Sequence, residues 1–318
     1  MNEKTIVPVF FTIDDSYVPW LSVALASMKE NASGDYDYRI HVITEDVSEE
    51  HKNRLSELAD DHFQIEFTEM PKTLEQISNR IGNWLRADFF TLTIFFRLFL
   101  ADMFEQYDKA IYLDGDICVP GDISEMYEID LGDTILGVVN DYSIGGVPEL
   151  TRYVREAVGV DHKHYFNSGI LLMNFKKMRE TRLAERFLEL LTTYQFDTIA
   201  PDQDYLNAMC KDNVTYIPSE WDSMPCELPE FENPQIIHYN LFDKPWCYDN
   251  VKYEDYFWKY APKSGFEDEI REYKAAYTDD KKRSDQEAMT RMVGRSTEIP
   301  DQEVTLRKVF ESGQEERL

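Results

Sequence analysis

A chain of 318 residues with 43% hydrophobic and 14% aromatic content carries enough apolar mass for a large core, which excludes a disordered protein. Its formal net charge of −28 excludes a nucleic-acid partner, because binding a phosphate backbone needs clustered Lys and Arg. No apolar run spans a bilayer: VPVFFTI meets Asp14 and Asp15, and FFTLTIFFRLFLADMF carries Arg97 and Asp102.

The N-terminal stretch MNEKTIVPVFF lacks a basic region and a small-residue cleavage site, so it reads as a strand and not as a signal peptide. Apolar runs predict strands over 6–13, 38–44, 62–68, 109–113, 134–139 and 169–175. Between them, helical spacing predicts helices over 18–31, 48–61 and 176–194. Strands alternating with helices predict the α/β class, a mostly parallel sheet covered on both faces. Cys118, Cys210, Cys226 and Cys247 show no CxxC spacing, which suits reduced thiols and a cytoplasmic location.

Ligands of such sheets sit beyond the carboxyl ends of the strands. The first predicted strand ends in Asp14, Asp15 and Ser16, the fourth in Asp114 and Asp116, the fifth in Asn140 and Asp141. If the strands are parallel, three acidic groups converge on one edge, and a divalent ion such as Mn²⁺ or Mg²⁺ would relieve their repulsion. Asp114 and Asp116 point the same way from a strand, and Gly115 between them lets a ligand approach the backbone. A solvated turn gives the same D-G-D pattern, so a third ligand matters. His238, after the apolar run IIH, offers an imidazole nitrogen, and Lys244 offers a point charge suited to a phosphate oxygen. Asp122 and Glu125, by contrast, read as a helix capping box.

DGDI (114–117), FNSGILLMNFKKMR (166–179), PDQDYLN (201–207) and HYNLFDKPW (238–246) together resemble the successive signatures of glycosyltransferase family 8, over roughly residues 5–262. The resemblance implies the GT-A fold, a Rossmann-like sheet flanked by helices, and a retaining transferase that uses a UDP-hexose donor with Mn²⁺ or Mg²⁺. It implies Asp114, Asp116 and His238 as metal ligands. Thr12, Asp14, Asp15, Ser16 and Tyr17 match the nucleotide-binding first strand, with Tyr17 placed to stack on the base. Arg97, Gly115 and Lys244 match groups at the donor phosphate or sugar; a structural ion pair with a buried Asp is the other reading of Arg97. Asp141, Asn167, Gln203 and Asp204 match the sugar pocket, with Gln203 under the anomeric carbon and Gly169 allowing close backbone approach. Asp202 and Asp204 also suit the positive end of a helix.

Relatives usually carry Gly three residues after the metal-binding His, where this chain has Leu241. Residues 1–262 are expected to form the catalytic domain and 263–318 a helical, polar extension. The stretch 254–277 reads as an aromatic helix running across this boundary, and 278–318 as one or two short helices with mobile ends. From Asp279 onward eight Lys and Arg face ten Asp and Glu, which argues against electrostatic membrane attachment and leaves docking onto a partner or a second subunit as the extension's open role. The acceptor expected is a glycan, a glycoprotein or a lipid-linked sugar. A non-catalytic UDP-sugar or glycan-binding module is the competing function. A haloacid-dehalogenase-like phosphatase also uses a DxD after an apolar strand, but near its N-terminus and without a residue like Cys118 in that position. A sugar-nucleotide pyrophosphorylase needs a Gly-rich basic loop that IDDSY does not supply.

Overall fold

The structure, a computed structural model, describes residues 4–69, 92–227 and 229–318. In chain order its strands are β1 (Thr5–Ile13), β2 (Tyr36–Thr44), β3 (Phe63–Glu69), β4 (Ala110–Leu113), β5 (Ile117–Cys118), β6 (Leu136–Asn140), β7 (Phe166–Met173), β8 (Val214–Tyr216) and β9 (Ile237–His238). Seven of these form one sheet in the order β3-β2-β1-β4-β7-β6-β8, and β5 pairs with β9 in a separate ribbon. Every neighbour in the large sheet is parallel except β7, which runs antiparallel to both β4 and β6.

β4 and β7 are buried along their whole length, as continuous apolar runs should be when helices cover both faces. The mostly parallel α/β sheet expected from the sequence is therefore the one observed. Two features of β7 differ: its direction, which an apolar run does not encode, and its start, which takes in Phe166, Asn167 and Ser168 ahead of the apolar stretch. Asn167 and Ser168 remain in the strand because their polar groups are satisfied inside; the Asn167 carboxamide, for example, accepts from the Gly169 amide at 2.7 Å.

Helix α1 (Val18–Asn31) begins with Pro19 in its first turn, where no amide donor is needed. Helix α2 (Glu49–Ser56) is capped by Ser48, whose hydroxyl accepts from the His51 amide, and stops short of the predicted 61. The predicted helix 176–194 is split, with Arg182 at φ 54 separating Phe175–Glu180 from α3 (Leu183–Tyr194). Helix α4 (Pro201–Cys210) is buried at all ten positions. The expected 254–277 helix breaks into α5 (Glu254–Tyr260) and α6 (Glu267–Ala275), with Gly265 at φ +77 between them.

Beyond them lie α7 (Asp279–Glu298), capped by the Thr278 hydroxyl, and α8 (Leu306–Glu311). At 20 residues α7 is longer than the short helices expected. Ile299, Leu306, Val309 and Phe310 enter the core shared with β6 and β7, whereas Phe266 and Ile270 enter the core beneath α1. The apolar residues of this region are few, but those of α8 fall at i, i+3 and i+4, so one face suffices. Truncating Leu306, 2% exposed, to Ala is expected to lower the free energy of unfolding by roughly 2–5 kcal/mol, measured by urea denaturation.

Candidate active site

Because β7 runs backwards, its first residues share an edge with the last residues of β1, β4 and β6. Asp114 leaves β4 and its amide donates to the Gly169 carbonyl at 2.8 Å, while Asp141 leaves β6 and its amide donates to the Tyr165 carbonyl at 2.8 Å. Two of the three predicted acidic clusters, those of Asp114 and Asp141, therefore meet at one edge, joined by Asn167 and Ser168 from β7.

The β5–β9 ribbon adds the imidazole. Ile117 pairs with His238, and the Tyr239 amide donates to the Asp116 carbonyl at 3.0 Å, so the ring is set beside both aspartates. Its Nε2 lies 3.4 Å from Asp116 Oδ1 and 3.9 Å from Asp114 Oδ2. One donor atom from each of Asp114, Asp116 and His238 lies within 4.8 Å of the others, two hard oxygens and one borderline nitrogen, a set that fits Mn²⁺ or Mg²⁺. Gly169 forms the floor: a Cβ there would sit 2.5 Å from Asp114 Oδ2 and 2.5 Å from His238 Cε1.

Behind the ring is a residue that sequence reasoning missed. Asp222, fully buried, places Oδ1 3.2 Å from His238 Nδ1 and thereby aims Nε2 at the aspartates. Its only local signal is an acid between Trp221 and Ser223, and nothing in that pattern reveals burial. Burial pushes the Asp222 carboxyl up to about 6 against the pull of His238. For His238 burial acts downward, but hydrogen bonds to Asp116 and Asp222 overcome it and lift the ring to about 10. Burial likewise raises Asp116, yet Lys244 and His238 together bring it well below the ordinary carboxylate range. Lys244 donates to Asp116 Oδ2 and to the Tyr239 carbonyl.

Arg97 is 4% exposed and is held by anions: Asp114 Oδ1 at 3.0 Å and Asp202 Oδ2 at 3.3 Å, with the Ser168 carbonyl at 2.6 Å. Its guanidinium lies 4.4 Å over the Tyr112 ring. Burial would lower its pKa, but Asp114 and Asp202 raise it, so it stays charged. This is the ion pair with a buried Asp, and it also reaches Asp114, one of the three candidate metal ligands. Ser168, also missed from sequence, donates to Asp202 at 2.7 Å.

Gln203 is fixed at both ends of its amide: Oε1 accepts from the Ser168 amide at 3.0 Å and Nε2 donates to Asp141 Oδ2 at 2.8 Å. Thr12 reaches the site through Tyr112, whose hydroxyl lies 2.8 Å from Thr12 Oγ1 and donates to Asp114 at 2.8 Å. Asp14 turns the chain by accepting from the Ser16 amide and hydroxyl. Asp15 faces α2 instead, accepting from the Ser48 amide at 2.8 Å beside His51. Asp204 is placed away from the edge: Tyr165 and Tyr153 donate to its two oxygens at 2.7 and 2.6 Å, bracing α4 against the core.

A cavity of about 820 Å³ opens beside these groups, lined at one end by Ser16, Tyr17, Asp116 and Lys244. The Tyr17 ring packs over Gly115, where a Cβ would lie 3.4 Å from Cδ1. Leu241 also lines the cavity and adopts φ 55, the left-handed conformation that Gly takes without strain.

The sheet, its helices and this edge define a GT-A transferase fold. The galactosyltransferase LgtC, solved with donor and acceptor sugar analogues, superposes with a TM-score of 0.68 at 25% identity, covering 81% of this chain and 96% of LgtC. The bifunctional enzyme WbbM gives a TM-score of 0.73 at 23% identity, with 87% of this chain matching 53% of that protein. The sequence model of glycosyl transferase family 8 matches residues 8–250, and the chain belongs to that family. Among curated proteins, a lipopolysaccharide 1,2-glucosyltransferase of Escherichia coli is 26% identical over 274 residues, 81% of this chain and 78% of its own length. A putative glycosyltransferase of Haemophilus influenzae is 25% identical over 228 residues, 69% of this chain, which spans only 64% of that protein. Among the described residues no helix is long and apolar enough to cross a membrane.

Removing Asp222 frees the His238 ring, so Asp222→Ala is expected to weaken divalent-metal binding at this candidate site about 10–100-fold, with Mn²⁺ as the probe and its free-ion resonance signal as the readout. Burial holds the proton on Asp204 up to about 7, against the hydrogen bonds from Tyr153 and Tyr165. A carboxyl raised on folding favours the folded state at low pH; that contribution is complete below about 4 and is lost as pH climbs through about 7. Asp204→Asn is expected to flatten this decline, which amounts to at most about 4 kcal/mol, in urea titrations from about pH 4 to about pH 8.

Proposed function

We propose that this enzyme moves a hexose, galactose or glucose, from a UDP-hexose to a hydroxyl of a glycan, glycoprotein or lipid-linked sugar, with retention of configuration. The observation that carries this reading is the meeting of His238 with Asp114 and Asp116 at a cavity that also presents Tyr17 and Lys244. The named activity of the Escherichia coli relative, glucosyl transfer in lipopolysaccharide, supports the substrate class.

In this reading Tyr17 stacks on the uracil, Asp14, Ser16 and Thr12 order the loop around the nucleoside, and Lys244 meets the diphosphate. Asp114, Asp116 and His238 hold Mn²⁺ or Mg²⁺, which when bound supplies positive charge against the departing diphosphate. Arg97, fixed by Asp114 and Asp202, keeps the metal-site carboxylate in place. The bond from C1 to the phosphate oxygen breaks as the acceptor oxygen bonds to C1 on the same face, and the acceptor's proton passes to the leaving phosphate oxygen. Gln203, assigned to the sugar pocket in this reading, is a neutral amide tied to Ser168 and Asp141 and a poor nucleophile, which favours front-side transfer over a covalent intermediate. Asn167 and Asp141 orient the sugar hydroxyls.

UDP release from UDP-galactose and UDP-glucose is expected to require Mn²⁺ or Mg²⁺ and to stop on chelation. Asp116→Ala and His238→Ala should each lower the rate by on the order of 10²-fold. Metal-independent hydrolysis, indifferent to both substitutions, would overturn the assignment; UDP binding with no sugar release even when acceptors are supplied would instead favour a binding module.

A further inference from the structure

The transfer reaction as described gives no role to helix α7, yet the helix is joined to the segment that carries Lys244. Lys244 opens a tight turn: its carbonyl accepts from the amides of Cys247 and Tyr248, both at 2.9 Å, so Lys244 and Tyr248 move as one unit. The middle of the turn is pinned by Trp246, 2% exposed, whose ring stacks on Trp20 with centres 4.5 Å apart. A single pin leaves the turn free to rotate about it. Two polar contacts on its other side stop that rotation. Lys274 of α6 donates to the carbonyls of Pro245 at 2.8 Å and Tyr248 at 2.7 Å, and Asp285 of α7 accepts from the Tyr248 hydroxyl at 2.6 Å.

Asp285 has a second donor. The Tyr277 hydroxyl, from the connection between α6 and α7, reaches the same carboxylate oxygen at 2.5 Å. Burial raises both phenols and the Asp285 carboxylate raises them further, so both stay protonated and donate. Hydrogen bonds to an ionised acceptor are the strong ones, and they fix direction as apolar contacts do not. At the start of the turn the Lys244 ammonium donates to Asp116 and, at 2.8 Å, to the Tyr239 carbonyl, which sets it at the cavity wall. The helix is held by other means: the Thr278 hydroxyl caps it, Ala288 and Ser296 are buried, and Arg295 pairs with Asp197, which also accepts from Gln302 at 2.9 Å. The two phenol contacts of Asp285 therefore serve the turn more than the helix.

We propose that Asp285 is a positioning residue, which through the hydroxyls of Tyr248 and Tyr277 locks the 244–248 turn and so holds the Lys244 ammonium where a nucleoside diphosphate meets it. The inference rests on the transferase reading above, and the test separates the two.

Dissociation constants for UDP are measured by isothermal titration calorimetry with Mn²⁺ present, in the parent protein and in a Lys244→Met background. In the parent, Asp285→Ala and Tyr248→Phe should each weaken UDP about tenfold. Asp285→Asn, whose carboxamide oxygen still accepts from both hydroxyls, should recover most of that loss. In the Lys244→Met background the same Asp285→Ala and Tyr248→Phe changes should move UDP affinity less than about twofold, because the group they position is gone. Tyr248→Phe removes one hydroxyl and keeps the ring, so it carries the test if Asp285→Ala melts early. The lock is overturned if UDP affinity in the parent is indifferent to these substitutions, or if they weaken UDP equally in both backgrounds, which marks Asp285 as a stabiliser of the fold alone. A parent protein that binds no UDP overturns the transferase reading, and the lock falls with it.

Discussion

The pairing of Ile117 with His238 is the contact on which the site depends. A two-residue ribbon has little stability alone, but this one is extended on both sides, by the Tyr239 amide on Asp116 and the Gly121 amide on the Gln235 carbonyl at 3.0 Å. On the far side of β9 the His238 amide donates to the Ser223 carbonyl at 3.0 Å, which also brings Asp222 behind the ring. Joining segments so distant in sequence is tolerable because closure entropy grows only with the logarithm of loop length, about 0.6 kcal/mol per doubling. One short ladder thus delivers both the imidazole and the carboxylate that orients it.

The second constraint is charge. The chain is strongly acidic, and its sheet gathers Asp114, Asp116, Asp202 and Asp222 within or near one buried edge. Such a cluster is stable only with fixed cations among its members, because a buried charge without a partner costs several kcal/mol. Arg97 answers Asp114 and Asp202, and Lys244 answers Asp116. The reversed strand β7 contributes neutral groups to the same edge: Ser168 bridges Asp202 and Gln203, and Gly169 leaves space between Asp114 and His238.

Much of this was legible in the sequence, for definite reasons. The apolar runs of β1, β4 and β7 are continuous because both faces are covered, so their positions stand out. Asp114, Asp116 and His238 each follow or occupy a strand end, and they fall in the first and last of four ordered motifs. The rest is tertiary. The direction of β7 depends on which neighbour it pairs with, and the partners of Arg97 lie on segments far apart in the chain. Asp222 resembles any polar residue in a turn. Asp204 and Asp202 share a helix turn and a motif, yet the helix sends one toward Tyr153 and the other toward Arg97. The length of α7 was hidden by a face that reads as polar, because only Ala288 and Ser296 are buried within it.

Gly169 carries a consequence for how this protein can vary. Elsewhere in the core, a change of side chain adjusts volume by degrees and neighbours can relax around it. Here the smallest addition, a single methyl, would occupy the space between a carboxylate and an imidazole that must face each other across it. The position therefore has no graded intermediates, and any evolutionary route to a different chemistry at this edge has to begin at some other residue.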